Sequence, residues 1–180
     1  MMRFENGINL RKDRKDLAKE NLGNLKRVMG RYKITIPAIA IGEILNYINT
    51  EIDDDEKKTE CLNWLLDFIN DFGVDILPIV YNIDFLQRQH SDNCVFSIAK
   101  EIIRREVTDP NEYYGGKTLD GNDALILAQA ILDECDEAVI LTVDSRMNEA
   151  TTPHDIIEER EIIINNKLKK LKIVDNLREI

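Results

Sequence analysis

The alternation of helical and extended patterns along this chain predicts an α/β fold. The expected core is a parallel sheet of four to five strands with helices on both faces, a three-layer α/β/α arrangement of Rossmann-like type with extra helices. Two observations carry that expectation. Segments with apolar residues at helical spacing alternate with short apolar runs. The run from Ala138 to Val143 is apolar at every position but Thr142, as a strand buried on both faces requires. No internal repeat, linker or low-complexity segment interrupts the 180 residues, so one domain over 1–180 is expected.

The elements follow in order. Leu17, Leu22, Leu25 and Val28 recur near a helical period and predict a helix over 11–29, ending at Gly30. Residues 32–37 read as a strand stopped by Pro37, which cannot donate to a ladder. Ala38 to Ile48 is the next helix, with Ile41, Ile44, Leu45 and Ile48 as its buried stripe. The acidic run 51–56 reads as a solvated helix start with favourable dipole charges. Lys57 to Phe72 is a helix with Leu62, Leu65, Leu66 and Ile69 inward and Trp64 packing, ended by Gly73. Val74 to Val80 is a second strand. Asp84 to His90 and Cys94 to Glu106 are two more helices, and 107–117 is loop. A helix from about 121 to 134 precedes the strand 138–143. Pro153 opens a helix to about Leu168, and Leu171 to Val174 closes the sheet.

Composition bounds the function classes. Hydrophobic residues make up 43% and charged residues 32%, a globular balance. No apolar run approaches the roughly 18 residues that span a membrane. The start, Met-Met-Arg-Phe-Glu-Asn-Gly, lacks the apolar core of a signal peptide, so a cytoplasmic protein without membrane contact is expected. Cys61, Cys94 and Cys135 are scattered and odd in number with no CxxC, and His90 is one of only two histidines, so zinc and disulfide frameworks are not indicated. The net charge of −10 opposes broad binding of nucleic acid through a basic face. It leaves a nucleic-acid enzyme open, because carboxylates of a metal site add negative charge that bound ions reverse.

Three acids stand in or against apolar runs near predicted strand ends: Glu43, Asp123 and Asp144. In open α/β sheets the functional crevice lies beyond the carboxyl ends of the strands. Glu43 follows Pro37 by one to two helical turns, Asp123 is in the first turn of its helix, and Asp144 terminates a strand. Converging carboxylates do not all ionise without a cation. Oxygen ligands of this kind suit Mg²⁺ or Mn²⁺, which activate water and stabilise displacement at a phosphodiester. Each acid also has an ordinary reading. Asp120 and Asp123 can cap a helix and complement its dipole, Glu43 can be a partly buried helical acid, and Asp144 can form an Asx-turn.

Taken together, these stretches resemble the PIN-domain family, metal-dependent ribonucleases that include VapC-type toxins and RNA-processing enzymes. Ile-Pro-Ala-Ile-Ala-Ile-Gly-Glu43-Ile-Leu resembles the family's strand, turn and glutamate-bearing helix. Asp123-Ala-Leu-Ile-Leu-Ala-Gln-Ala resembles the helix bearing its third acid. Leu-Thr142-Val-Asp144-Ser-Arg resembles its strand-end Thr/Ser-x-Asp, where the residue matching Thr142 commonly hydrogen-bonds within the site. Leu-Lys-Ile-Val resembles its closing strand. The resemblance implies Glu43, Asp123, Asp144 and Thr142 as catalytic residues, and Mg²⁺ or Mn²⁺ held by Glu43, Asp123 and Asp144.

Two departures from the family stand out. The family opens with an apolar strand ending in Asp-x-Asn, whereas this sequence begins Met-Met-Arg-Phe-Glu5-Asn6. Either Met1 to Phe4 is a very short strand with Glu5 as the first metal-binding acid, or that strand comes from elsewhere: residues before this sequence, another segment or another chain. Eighty residues separate Glu43 from Asp123, more than compact toxins carry. A helical insertion over about 52–107 is therefore expected, as a clamp over substrate or a homodimer surface.

The leading expectation is a metal-dependent endoribonuclease, with Glu5 or Asp120 assisting the three acids and Lys33, Lys117 and Arg146 as candidate phosphate contacts. RNA is the expected partner, with an antitoxin or other protein as a further one. The alternative is a degenerate, catalytically impaired PIN-like module that binds RNA or protein; the altered first acid and the net charge of −10 favour it. A receiver-like signalling domain shares the strand-end acids, but it needs an acidic pair where Glu5 stands alone.

Overall fold

The computed structural model describes residues 12–78, 94–108, 119–142, 144–148 and 150–180. It is a mixed α/β structure in two compact units, one drawn from Met1–Ile79 and Asn176–Ile180, the other from Val80–Asp175.

The first unit begins with α1 (Lys12–Val28), whose Leu25 and Val28 are buried with Leu177 of the closing 3₁₀ turn Leu177–Glu179. Asn21, itself buried, accepts from the Leu177 amide at 2.8 Å, and Arg27 Nη2 donates to the Leu177 carbonyl at 2.9 Å. These bonds satisfy backbone groups that burial would otherwise strand. β1 (Thr35–Pro37) runs directly into α2 (Ala38–Glu51). Proline suits that junction because its fixed φ and missing N–H cost nothing there.

α3 (Asp55–Asp71) follows, capped by Asp54, whose Oδ1 accepts from the amides of Glu56 at 2.9 Å and Lys57 at 3.1 Å. The acidic run thus serves as cap and first turn. Trp64, Phe68 and Phe72 stack at four-residue spacing, with ring centroids 5.4 and 5.0 Å apart, so Trp64 packs as expected. Gly73, at φ +54°, ends the helix in a Schellman turn. The Val74 amide donates to the Ile69 carbonyl and the Gly73 amide to that of Asn70. β2 (Asp75–Leu77) then pairs parallel with β1, Thr35 opposite Asp75 and Pro37 opposite Leu77.

The expected inward stripes are narrower than the leucine spacing implied. Leu65 is buried, whereas Leu62 and Leu66 are exposed; on α2 Ile48 is buried and Leu45 exposed. Phe68 and Phe72 choose the packed face of α3, and Leu62 and Leu66 fall outside that arc.

In the second unit α4 (Val95–Thr108) packs against α5 (Gly121–Leu132). Ala124, Leu127, Ala128 and Ile131 of α5 are fully buried at helical spacing, sharing a core with Ile98 and Ile102 of α4. β3 (Glu137–Leu141) and β6 (Lys170–Val174) form a parallel pair from Glu137 opposite Lys170 to Leu141 opposite Val174. Between them lie α6 (Ser145–Asn148), α7 (Thr152–Glu159), and the antiparallel hairpin β4 (Ile163–Ile164) and β5 (Lys167–Leu168).

That hairpin corrects the expected helix from Pro153 to Leu168. The helix stops at Glu159 because Glu161 turns left-handed at φ +46°, with the Ile162 amide donating to the Ile157 carbonyl and the Glu161 amide to that of Glu158. Asn165 and Asn166 then both take positive φ, the two-residue turn that matches strand twist.

Among the described residues the strands make three two-stranded sheets rather than one sheet of four to five. The first two strands are also shorter than the runs 32–37 and 74–80 suggested, with three residues each. Pro37 ends the first, having no N–H to extend the ladder. Of the expected insertion, α3 lies in the first unit and α4 in the second; the helix expected over Asp84–His90 lies outside the described residues. No helix among them is long and apolar enough to cross a membrane.

Candidate metal centre

Two of the expected site acids meet in the second unit. Asp123 is placed by the start of α5. Asp120 caps that helix, its Oδ1 accepting from the amides of Asn122 at 2.8 Å and Asp123 at 2.9 Å. Asp123 Oδ2 accepts in return from the Asp120 amide at 3.3 Å, completing a capping box. The ordinary capping reading of this pair is therefore present in the geometry. It leaves the Asp123 side chain only 14% exposed.

Asp144 is placed by the end of the β3–β6 ladder. The Thr142 amide donates to the Val174 carbonyl at 2.9 Å, carrying the pairing one step past β3. Thr142 Oγ1 then accepts from the Asp144 amide at 3.1 Å. Asp144 Oδ1 accepts from the Arg146 amide at 2.9 Å, the Asx-turn its neighbours allowed. Asp144 thus stands at the carboxyl end of a parallel pair.

Arg146 joins the two acids. Its Nη2 donates to Asp144 Oδ2 at 2.6 Å, and its Nε lies 3.1 and 3.2 Å from Oδ1 and Oδ2. This is a forked, charge-assisted contact. The same Nη2 is 3.5 Å from Asp123 Oδ2. Burial pushes the Asp123 carboxyl above its ordinary value and repulsion from Asp120 adds to this, while the hydrogen bond from the Asp120 amide and the Arg146 charge pull it down. The hydrogen bond to Asp144 holds the Arg146 guanidinium still more firmly protonated than usual.

Glu43 is exposed on α2, in the first unit. Lys33, also in the first unit, pairs with Asp75 at 2.7 Å. Glu5, His90 and Lys117 lie outside the described residues. Among those described, no three His, Cys, Asp or Glu side chains gather into a group able to hold a metal ion. The chemistry of the pair itself is compatible with one. Carboxylate oxygens from two different elements converge on a single cationic atom. Mg²⁺ is commonly held by one or two carboxylates, with water and phosphate completing its shell.

Two residues here have roles the sequence patterns did not suggest. Arg146 was expected at phosphate and instead bridges the acids; its position two residues after Asp144 was the available signal. Lys169 is buried, with Nζ donating to the carbonyls of Asp133 at 2.9 Å and Cys135 at 2.6 Å, and 3.3 Å from Cys135 Sγ. It satisfies the carbonyl of Asp133 at the end of α5 and that of Cys135 in the link to β3, and nothing in the local sequence pattern distinguishes it from neighbouring lysines. Comparisons with family models, with curated proteins and with solved structures find no match for this chain.

Proposed function

We propose that this protein is a metal-dependent endoribonuclease of PIN-like design, acting on RNA phosphodiester bonds in the cytoplasm. One observation carries the reading: Asp123 and Asp144, from the start of α5 and the end of β3, converge on one cation position at Arg146 Nη2. The parallel β3–β6 pair, with Asp144 beyond its carboxyl end, supports the finer fold reading of a three-layer sheet-and-helix domain.

In this reading Asp123 and Asp144 hold Mg²⁺ or Mn²⁺. Such an ion, when bound, supplies activated water and neutralises charge on the phosphodiester. Thr142 is a positioning residue, because its hydroxyl fixes the backbone from which Asp144 projects. RNA is the substrate, and an antitoxin, another protein or a second copy of the chain is the further partner.

The second reading is a degenerate PIN-like module that binds RNA or protein without cutting. The observation that favours it is Arg146, whose guanidinium already occupies the position between the two acids. Incubation of varied single-stranded RNAs with the full chain in Mn²⁺, and again with excess chelator, separates the two. The proposed nuclease cleaves in the first condition only; absence of metal-dependent cleavage on every RNA favours the binding module.

A further inference from the structure

β3 and β6 stand as a two-stranded parallel sheet, and β3 has a second edge. The Lys170 amide donates to the Asp136 carbonyl and the Thr142 amide to the Val174 carbonyl, both at 2.9 Å. In a parallel ladder that register turns the backbone groups of Ala138 and Ile140 toward β6. The amides and carbonyls of Glu137, Val139 and Leu141 therefore point off the opposite edge, where no strand pairs with them among the described residues. Parallel strands are ordinarily covered, and open edges are ordinarily guarded by lysine, proline or a bulge. β3 has none of these between Glu137 and Leu141. Its core-facing Ala138 and Ile140 stay half-buried, and Leu141 is 40% exposed.

We infer that this edge is a homodimer interface, in which β3 pairs antiparallel with β3 of a second copy about a two-fold axis at Val139. The inference goes beyond the nuclease reading and needs no metal. The edge is complementary to itself. With Val139 opposite its own symmetry mate, Glu137 falls opposite the partner's Leu141. Glu137, Val139 and Leu141 of each copy then donate and accept across the axis, in the hydrogen-bonded pairs of an antiparallel ladder. The charges also fit. Glu137 meets an apolar side chain rather than another acid, and it keeps Lys170 opposite it on β6. The Lys172 positions of the two copies stand three strand spacings apart, about 14 Å, past the screening length of about 8 Å. The acids beyond the strand ends already face cations: Asp136 lies 3.1 Å from Lys167 Nζ and Asp144 lies 2.6 Å from Arg146 Nη2. Pairing joins β6, β3 and their mates into one sheet, which passes the roughly three strands a sheet needs to be stable by itself.

Sedimentation of the full chain over a concentration series tests this, with circular dichroism on each variant. The wild type is expected to be a dimer that dissociates on dilution. Val139→Pro removes an amide that faces the partner and none that faces β6, so the β3–β6 ladder keeps its bonds. It is expected to weaken the dimer about thirtyfold, for the two bonds lost at the axis. Leu141→Glu sets like charges opposite each other and is expected to give a monomer; adding Glu137→Lys is expected to restore the dimer. Hydrogen exchange on the wild type needs no variant, and protection of the Val139 amide is expected to rise with concentration. A wild type that is monomeric at every concentration overturns the inference. A Val139 amide equally protected at all concentrations also overturns it, and assigns the edge to another strand of the same chain. A dimer indifferent to all three variants overturns it as well, and places the interface on another surface.

Discussion

Asp123 Oδ2 takes part in two contacts: it accepts from the Asp120 amide at 3.3 Å and faces Arg146 Nη2 at 3.5 Å. One carboxylate therefore closes a helix cap and lines the candidate metal centre. Asn in its place keeps a cap acceptor and removes the charge. Because burial raises the Asp123 carboxyl above its ordinary value, its ionised form is disfavoured in the fold. Asp123→Asn is expected to match or exceed wild-type thermal stability at pH 7 while losing Mn²⁺ binding. Calorimetric melting and metal titration on the same sample check both halves.

A second prediction concerns acid. Glu101 is held below the usual carboxylate range first by its hydrogen bond from Arg105, and Glu159 likewise. Arg105 Nε donates to Glu101 at 3.0 Å, and Nη1 and Nη2 donate to Glu159 at 3.0 and 2.5 Å. A depressed carboxylate contributes stability that is present above its unfolded value, about 4.3 for glutamate, and is lost as pH falls through the lower folded value. Melting temperature is therefore expected to drop below about pH 4.5. Arg105→Ala is expected to flatten that drop, and a melting series from pH 7 to pH 3 tests it.

Two helix ends make a matched pair. α3 closes on Gly73 at φ +54° and α7 on Glu161 at φ +46°, with the same two backbone bonds. A side chain in that conformation costs about 1 kcal/mol. Gly73→Ala is expected to destabilise by about 1 kcal/mol, and Glu161→Gly to stabilise by a similar amount. Denaturant unfolding of the two variants beside wild type should give shifts of opposite sign.

Lys169 offers a fourth. Replacing it with Met keeps the apolar stem and strands the carbonyls of Asp133 and Cys135 that Nζ now satisfies. The expected loss is about 2 kcal/mol, read from the unfolding midpoint.

Much of this was legible in the sequence where a local rule decides the outcome. Pro37 sits at a strand–helix junction and Gly73 ends α3, because each residue's backbone preference is fixed by its own chemistry. The apolar run before Asp144 became β3, leaving that acid past the carboxyl end of a parallel pair. The helix beyond Glu159 failed as an expectation because the Ile162–Ile164 run fits either period, and the Asn165–Asn166 turn decided it. Leu62 and Leu66 misled because helical spacing marks an apolar face without saying which part of it tertiary neighbours cover. At the candidate site, the Arg146–Asp144 contact is local in the chain, whereas the approach of Asp123 to the same guanidinium joins two elements through space and has no signature in spacing.

The proposed nuclease reading stands or falls with Asp123 and Asp144. The direct measurement is single-turnover cleavage of one labelled single-stranded RNA in Mn²⁺ by wild type, Asp123→Asn and Asp144→Asn, purified identically and each confirmed folded. The expected result is cleavage by the wild type that chelator stops, and its loss in both variants. Cleavage by the variants at the wild-type rate contradicts it.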